Sequence, residues 1–209
     1  MKFIYSLLII SLLGACNSSE KSESNQQIES TTPQEVVVDT TAAKKFWDKL
    51  TALCGKSFEG TLVTEDYTGD FAGKQLVMHL LSCDEKQILI PFNVGDNRSR
   101  TWILTYDQAR ITLKHDHRLE DGSDDEITMY GGTSNNSGSE EMITFPADQE
   151  TVDILPLAFA NIWWMTVNDS VFSHNLRRVS NDRRFTVEFD LTQEIETPEP
   201  SWGWENFKK

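Results

Sequence analysis

The chain has 209 residues, with 19 Lys and Arg against 33 Asp and Glu and a formal net charge of -14. That balance excludes nucleic acid as a partner, because phosphate binding needs a basic footprint. The acidity reads as a solvated, self-repelling surface, with an acidic site for cationic partners as the alternative, and no recurring period of about 20 to 50 residues supports a repeat architecture.

Lys2 follows the initial Met1 and precedes an apolar run from Phe3 to Leu13. At about 11 residues this run is far shorter than the roughly 20 needed to span a bilayer as a helix. It ends in Leu13-Gly14-Ala15-Cys16, which resembles the lipobox of bacterial lipoproteins. The resemblance implies a diacylglycerol on the Cys16 sulfur, removal of residues 1–15 and acylation of the new amino group. Two or three acyl chains anchor stably where one does so only marginally. An ordinary secretory signal or an uncleaved N-terminal anchor is the alternative. Processing removes one lysine and no acid, leaving 18 basic against 33 acidic residues and a net charge of about -15. Asn17 stands where an aspartate commonly retains lipoproteins in the inner membrane, so the pattern resembles an outer-membrane address if the host has two membranes. The expected location is the cell envelope, with the membrane as a partner through the lipid anchor.

Residues 16–41 hold the lipidated cysteine and a segment rich in Ser, Glu, Gln and Thr, with apolar content only at Ile28 and Val36 to Val38. Such a segment buries too little surface to offset its ordering entropy and is expected as a disordered tether. As a flexible coil its reach is roughly 25 to 30 Å. Residues 42–209 then suit one globular domain with a single core. With Cys16 assigned to lipid, Cys54 and Cys83 remain, and in an oxidising compartment they read as a disulfide closing a loop of about 30 residues, with two separate buried thiols as the alternative.

Ala43, Phe46, Trp47, Leu50, Leu53 and Cys54 recur at three- and four-residue spacing and predict a helix capped by Thr41 and ended by Gly55. Beyond it the period changes to two or to short apolar runs. Strands are expected over 57–63, 75–82, 87–94, 100–106, 110–117, 126–131, 141–145, 162–167, 171–179 and 185–191. A second helix around residues 151–161 is interrupted by Pro156. About ten short sequential strands led by one helix predict a mainly β fold. An antiparallel up-and-down barrel is preferred over a sandwich because it removes exposed edges. The order of helix, Gly55-x-x-Phe58-x-Gly60 and meander resembles the lipocalin-like barrels, although their Gly-x-Trp signature is off register here. The resemblance implies a fold and no ligand.

The densest chemistry lies between Lys114 and Glu126. On a strand, Ile111, Leu113, His115 and His117 share one face, and Arg110, Thr112, Lys114, Asp116 and Arg118 share the other. His115, Asp116, His117 and Arg118 are therefore the candidate catalytic or ligand site. Two imidazoles two residues apart can reach one divalent cation, with Asp121 as a third ligand. The ordinary alternative is that the histidines bond turn carboxylates and backbone while Asp121-Gly122 makes the hairpin. Cupin metal sites resemble His115, His117 and Asp121 in spacing, but Ala109 stands where a cupin has glycine and the later Pro-x-Gly…His segment is missing. His174 joins such a set only if the fold happens to bring it there. The acidic run from Glu120 to Glu126 lacks the ligand spacing of an EF-hand. Gly-x-Ser-x-Gly, phosphate-loop and His-Glu-x-x-His motifs are absent from the sequence.

Trp163 and Trp164 point to opposite faces of a strand, one into the core. Trp202 and Trp204, in a Pro-rich C-terminal end, are expected to fold back over the domain, with an exposed partner-binding tail as the alternative. Arg98, Arg100, Arg177, Arg178, Arg183 and Arg184 are expected to pair with carboxylates, and one turned inward in a barrel suits an anionic head group. The stretch Ile90-Pro91-Phe92-Asn93-Val94-Gly95-Asp96, Arg98-Ser99-Arg100-Thr101-Trp102, the His-Asp-His-Arg segment and Arg184-Phe185-x-Val187-x-Phe189-Asp190-Leu191 resemble an uncharacterised family of bacterial secreted proteins and lipoproteins. That resemblance implies no activity. Three functions stand at this point: a domain binding a small ligand or envelope partner without catalysis, a metal-dependent enzyme centred on His115 and His117, and an envelope-assembly module using the C-terminal tryptophans.

Overall fold

The computed structural model describes residues 41–64, 69–136, 138–181 and 183–207. The expected signal peptide, Cys16 and all but the last residue of the expected tether lie outside the described residues.

Helix α1 (Ala42–Thr51) forms where the apolar spacing predicts it. The Thr41 hydroxyl accepts the Lys44 N–H at 3.2 Å as its cap, and Ala43, Phe46, Trp47 and Leu50 are buried. The helix stops at Ala52, ahead of the predicted end, and Gly55, at φ +84°, turns the chain toward the first strand. The strands are β1 (Ser57–Leu62), β2 (Leu76–His79), β3 (Ser82–Cys83), β4 (Gln87–Val94), β5 (Asn97–Asp107), β6 (Arg110–His117), β7 (Tyr130–Thr133), β8 (Met142–Pro146), β9 (Asn161–Val167), β10 (Val171–Arg178) and β11 (Arg184–Glu194). Between β8 and β9 lie α2 (Gln149–Ile154) and a 3-10 turn (Pro156–Ala160), so Pro156 breaks the second helix as expected.

The strands form one antiparallel sheet in the order β7-β6-β5-β4-β2-β1-β11-β10-β9-β8, with β3 beside β4. The first and last long strands pair, Leu62 lying opposite Val187. The result is a nearly closed up-and-down barrel. It lacks the Greek-key crossovers of a jelly roll, so the cupin spacing has no cupin scaffold behind it. Where β7 and β8 meet, the seam is bridged by other means. Asp148 N donates to Gly131 O at 3.1 Å, and the Thr151 hydroxyl accepts from Gly131 N at 2.6 Å and donates to Gly131 O at 2.8 Å. A methyl on Gly131 would stand 1.9 Å from the Leu113 carbonyl oxygen, and one on Gly132 1.8 Å from that of Pro146. Only glycine permits this approach.

One predicted strand is displaced. The sequence reading places it at residues 126–131, whereas β7 starts at Tyr130. Met129, at φ +56°, interrupts extended backbone, and residues 119–129 instead form turns tied back to β6 by Asp125 N donating to His117 O and Met129 N to His115 O.

Inward-facing Ile88, Ile90, Phe92 and Val94 of β4 join Phe46, Trp47 and Leu50 of α1 in one core. The Trp47 ring lies 5.5 Å from that of Tyr106, near the end of β5, so α1 closes that end of the barrel. Cys54 and Cys83 form a disulfide with Cα atoms 5.9 Å apart, fastening the turn after α1 to β3. The C-terminal segment folds back, as expected, but onto the outer wall. Asn93 Nδ2 donates to Glu199 O at 3.2 Å, Ser201 Oγ to Asn93 Oδ1 at 3.2 Å, and Arg98 Nη1 to Pro200 O at 2.9 Å.

Candidate functional site

Strand β6 divides the predicted site into two. Its burial alternates so that Ile111, Leu113, His115 and His117 face the interior. Asp116, on the other face, is 0% exposed because the C-terminal strap covers it. Its carboxylate accepts from Arg118 Nε at 2.9 and 3.0 Å, from Thr128 Oγ1 at 3.3 Å and from Trp204 Nε1 at 3.0 Å. Arg118 also pairs with Asp124 at 2.6 Å. The four expected residues therefore divide: Asp116 and Arg118 build a clasp on the outer wall, although Asp116 also borders the cavity that His115 and His117 line. Asp121 lies apart from both. It sits exposed in the turn, where its carboxylate accepts from Ser123 Oγ at 2.6 Å and Ser123 N at 2.9 Å, and the Ser123 hydroxyl in particular holds it below the usual carboxylate range. The structure does not bring it to the imidazoles. Among the described residues no group of three or more His, Cys, Asp or Glu is placed to hold a metal ion.

What the fold brings to His115 instead is His174 of β10, 59 residues further along the chain, with the two Nε2 atoms 3.3 Å apart. Both rings are buried. The direction of this contact follows from the other side of His115. Its Nδ1 lies 3.1 Å from the Tyr130 carbonyl oxygen, which only accepts, so Nδ1 carries the proton and Nε2 of the neutral ring is an acceptor. His174 Nε2 must then donate, which leaves His174 Nδ1 unprotonated. No described protein group donates to that nitrogen. Nearer the end of β6, His117 Nε2 meets the Tyr130 hydroxyl at 3.1 Å.

These side chains line a cavity of about 230 Å³ at the barrel end opposite α1. Its walls are largely aromatic, and the rings pack on one another. Trp102 stacks on His174 at 4.4 Å and on Phe92 at 4.7 Å, Tyr130 on His115 at 4.7 Å, and Phe71 lies 4.8 Å from Phe185. Trp163 is the inward member of the Trp163-Trp164 pair and also lines the cavity. The rim is polar and of both signs: Arg100, Arg183 and Asp70 all border it. The Arg100 guanidinium sits 5.2 Å over the Phe71 ring, and its Nη1 donates to Asn97 Oδ1 at 2.9 Å. Arg100 is thus an arginine turned inward, the arrangement the sequence allows for.

Burial sets the protonation states. It lowers His174 to about 3. It holds His115 well below its ordinary value, helped by the neighbouring His174 and His117. His117 is lowered to about 4, again first by burial and then by Arg100, with Asp125 and Asp116 opposing. Tyr130 is pushed up to about 12 by burial, with Arg100 and Arg183 opposing. At neutral pH the site is therefore three neutral imidazoles and a phenol. Sequence reasoning found His115 and His117 from β6 alternation, but His174, Tyr130 and Trp102 carried no local signal beyond being polar or aromatic within strands.

No family model, curated protein or solved structure matches the chain.

Proposed function

We propose that this chain is a lipid-anchored protein of the cell envelope, held by Cys16, at the outer membrane where there are two, whose barrel binds a small molecule without catalysing its conversion. The observation that carries the binding reading is the cavity of about 230 Å³ at the open end, with aromatic walls and a charged rim. A concave, mainly apolar space with a few fixed polar groups is the usual form of a small-molecule site. The shifts argue against acid-base work, which favours groups titrating near the operating pH. Here His174 and His117 move down to about 3 and 4 and Tyr130 up to about 12, all away from neutrality.

Native mass spectrometry of protein extracted gently from its own host tests the reading. Retention of a small molecule that is lost on Trp102→Ala supports it, and a protein carrying only its lipid under all conditions counts against it. Replacing Cys16 by serine is expected to remove the acyl mass and release the protein from the membrane fraction; unchanged mass and fractionation would refute the anchor.

A metal-dependent activity is the second reading. The 3.3 Å between the His115 and His174 Nε2 atoms is also the spacing two imidazoles take on a tetrahedral cation. Stoichiometric zinc, manganese or iron lost in His115→Ala favours this reading, and metal-free protein after gentle purification removes it. The third reading, an assembly module built on Trp202 and Trp204, has less behind it, since the Trp204 indole N–H is already spent on Asp116.

A further inference from the structure

We infer that the protein rests one side of the barrel's open end on a lipid surface with anionic headgroups: Leu157, Phe159 and Val179 enter the lipid, and Arg177, Arg183 and Arg184 meet the headgroups. The inference rests on the membrane anchor proposed above and adds how the domain sits once held there.

The apolar half comes from two adjoining segments. The 3-10 turn Pro156–Ala160 buries Ala158 and leaves Leu157 and Phe159 70% and 63% exposed. Val179 N donates to Ala160 O at 2.8 Å, joining the end of β10 to that turn, and Val179 is 62% exposed. Leu119, the next most exposed large apolar side chain among the described residues, reaches only 48%. Residues 154–162 carry no charge. So much bare apolar surface in one place marks a contact with lipid or protein.

What stands beside it decides between them. Residues 177–184, running from the end of β10 to the start of β11, hold four arginines and one acid, Asp182, in a chain of net charge -14. Arg178 is buried, its Nε donating to Asn161 Oδ1 at 2.8 Å, whereas Arg177, Arg183 and Arg184 are exposed. Arg177 and Arg184 lie directly opposite each other on neighbouring strands, where like charges repel. Carboxylate partners are expected for all four from the sequence, yet none has an ion pair among the described residues. An anion from outside relieves that repulsion. Bare apolar side chains flanked by unpaired arginines are the composition of a surface lying in the bilayer interface, with guanidinium groups at the phosphates. A second copy joined through the same face would instead bring two arginine clusters together.

The anchor allows this placement. Thr41 Oγ1 lies 3.4 Å from the Tyr106 hydroxyl, so the chain toward Cys16 leaves from the closed end. Arg100, at the open end, is six residues from Tyr106 on β5, about 20 Å at the usual strand rise. The reach of roughly 25 to 30 Å expected of residues 16–41 spans that distance. Arg183 also borders the cavity, whose mouth then lies at the edge of the docked face.

A nitroxide label tests the contact. It is placed on Ser180→Cys beside Val179, and for reference on Asp107→Cys, exposed at the end of β5. The full-length protein is purified in detergent from its own host, its acyl mass is checked, and it is reconstituted into phosphatidylcholine vesicles with or without phosphatidylglycerol. Collision with oxygen, concentrated in lipid, against a nickel chelate dissolved in water gives the ratio of docked to undocked protein. On the anionic vesicles the Ser180 label is expected to gain oxygen contact and lose nickel contact while the Asp107 label stays in water. On phosphatidylcholine alone the docked ratio is expected to fall about tenfold or more, since each arginine near an anionic surface contributes about fivefold. Paired Arg177→Gln and Arg184→Gln are expected to lower it about thirtyfold on the anionic vesicles, and paired Leu157→Ser and Phe159→Ser to abolish docking. Should a pair fail to fold, the lipid dependence of the protein with these residues intact carries the test. A Ser180 label in water on both vesicles, equal lipid contact on both, or loss of contact with both reagents, which means that protein covers the face, each overturns the inference. A mass without acyl chains fails the anchor reading, and the same labels on Cys16→Ser protein added to the vesicles still decide the face.

Discussion

The two ends of the barrel are built from opposite materials. At one end α1 presses Phe46, Trp47 and Leu50 into the core, all 2% exposed or less, and the disulfide pins the turn that follows. At the other, space that apolar side chains would fill in a purely structural barrel is lined by His115, His117, His174, Tyr130 and Arg100 around a cavity. Neutral buried imidazoles do little for stability, and an acceptor without a protein donor works against it. The closed end therefore carries the fold, and the open end gives up packing for a surface that can recognise something.

Breaking the closed end has the largest consequence. Phe46→Ala removes a fully buried ring and is expected to cost about 3 to 5 kcal/mol in urea unfolding, with the histidine resonances of the open end unchanged. Paired substitution of Cys54 and Cys83 by serine is expected to cost about 3 to 4 kcal/mol through the freed loop. The wall between the ends is next. Trp204→Phe takes one donor from the buried Asp116 carboxylate and is expected to cost about 1.5 to 3 kcal/mol by the same assay, with ligand retention preserved because Trp204 does not line the cavity.

Acid sharpens the contrast from the other side. His174 in the fold sits at about 3, below its ordinary 6.5. The unfolded chain therefore binds this proton first as pH falls. The stability is intact above about 6.5 and is lost as pH drops toward the folded value, by about 1.4 kcal/mol per pH unit for an imidazole that stays neutral. Between pH 6.5 and 5, before most carboxylates titrate, His174→Phe is expected to unfold with a shallower slope, by about 0.7 kcal/mol per pH unit at pH 6.5 rising to about 1.4 at pH 5. Parallel curves would mean that His174 is not held neutral. Phe46→Ala is expected to keep the full slope despite its lower stability.

The closed end was far more legible in the sequence than the open one. Three- and four-residue apolar spacing located α1, and period two located most strands and separated the faces of β6, because each of these signals is local. The pairing of Cys54 with Cys83 followed from a count. The segment from Lys114 to Glu126 looked like one chemical unit only because sequence is linear: alternation sends His115 and His117 inward and Asp116 and Arg118 outward. The partners that complete each half lie far away, His174 at 59 residues from His115 and Trp204 at 88 from Asp116. Barrel closure and the path of the strap decide those contacts, and neither leaves a periodicity to read. The displaced β7 has a different cause, since Met129 at φ +56° is a conformation its residue type does not announce.

The central claim is that the open end holds a directed chain of neutral imidazoles ending in a free acceptor. A long-range proton-nitrogen correlation spectrum of the histidine side chains at pH 7, without added ligand, tests it most directly. The account predicts His115 protonated on Nδ1 alone and His174 on Nε2 alone. An imidazolium at either position, or the reverse tautomer at His174, would contradict it.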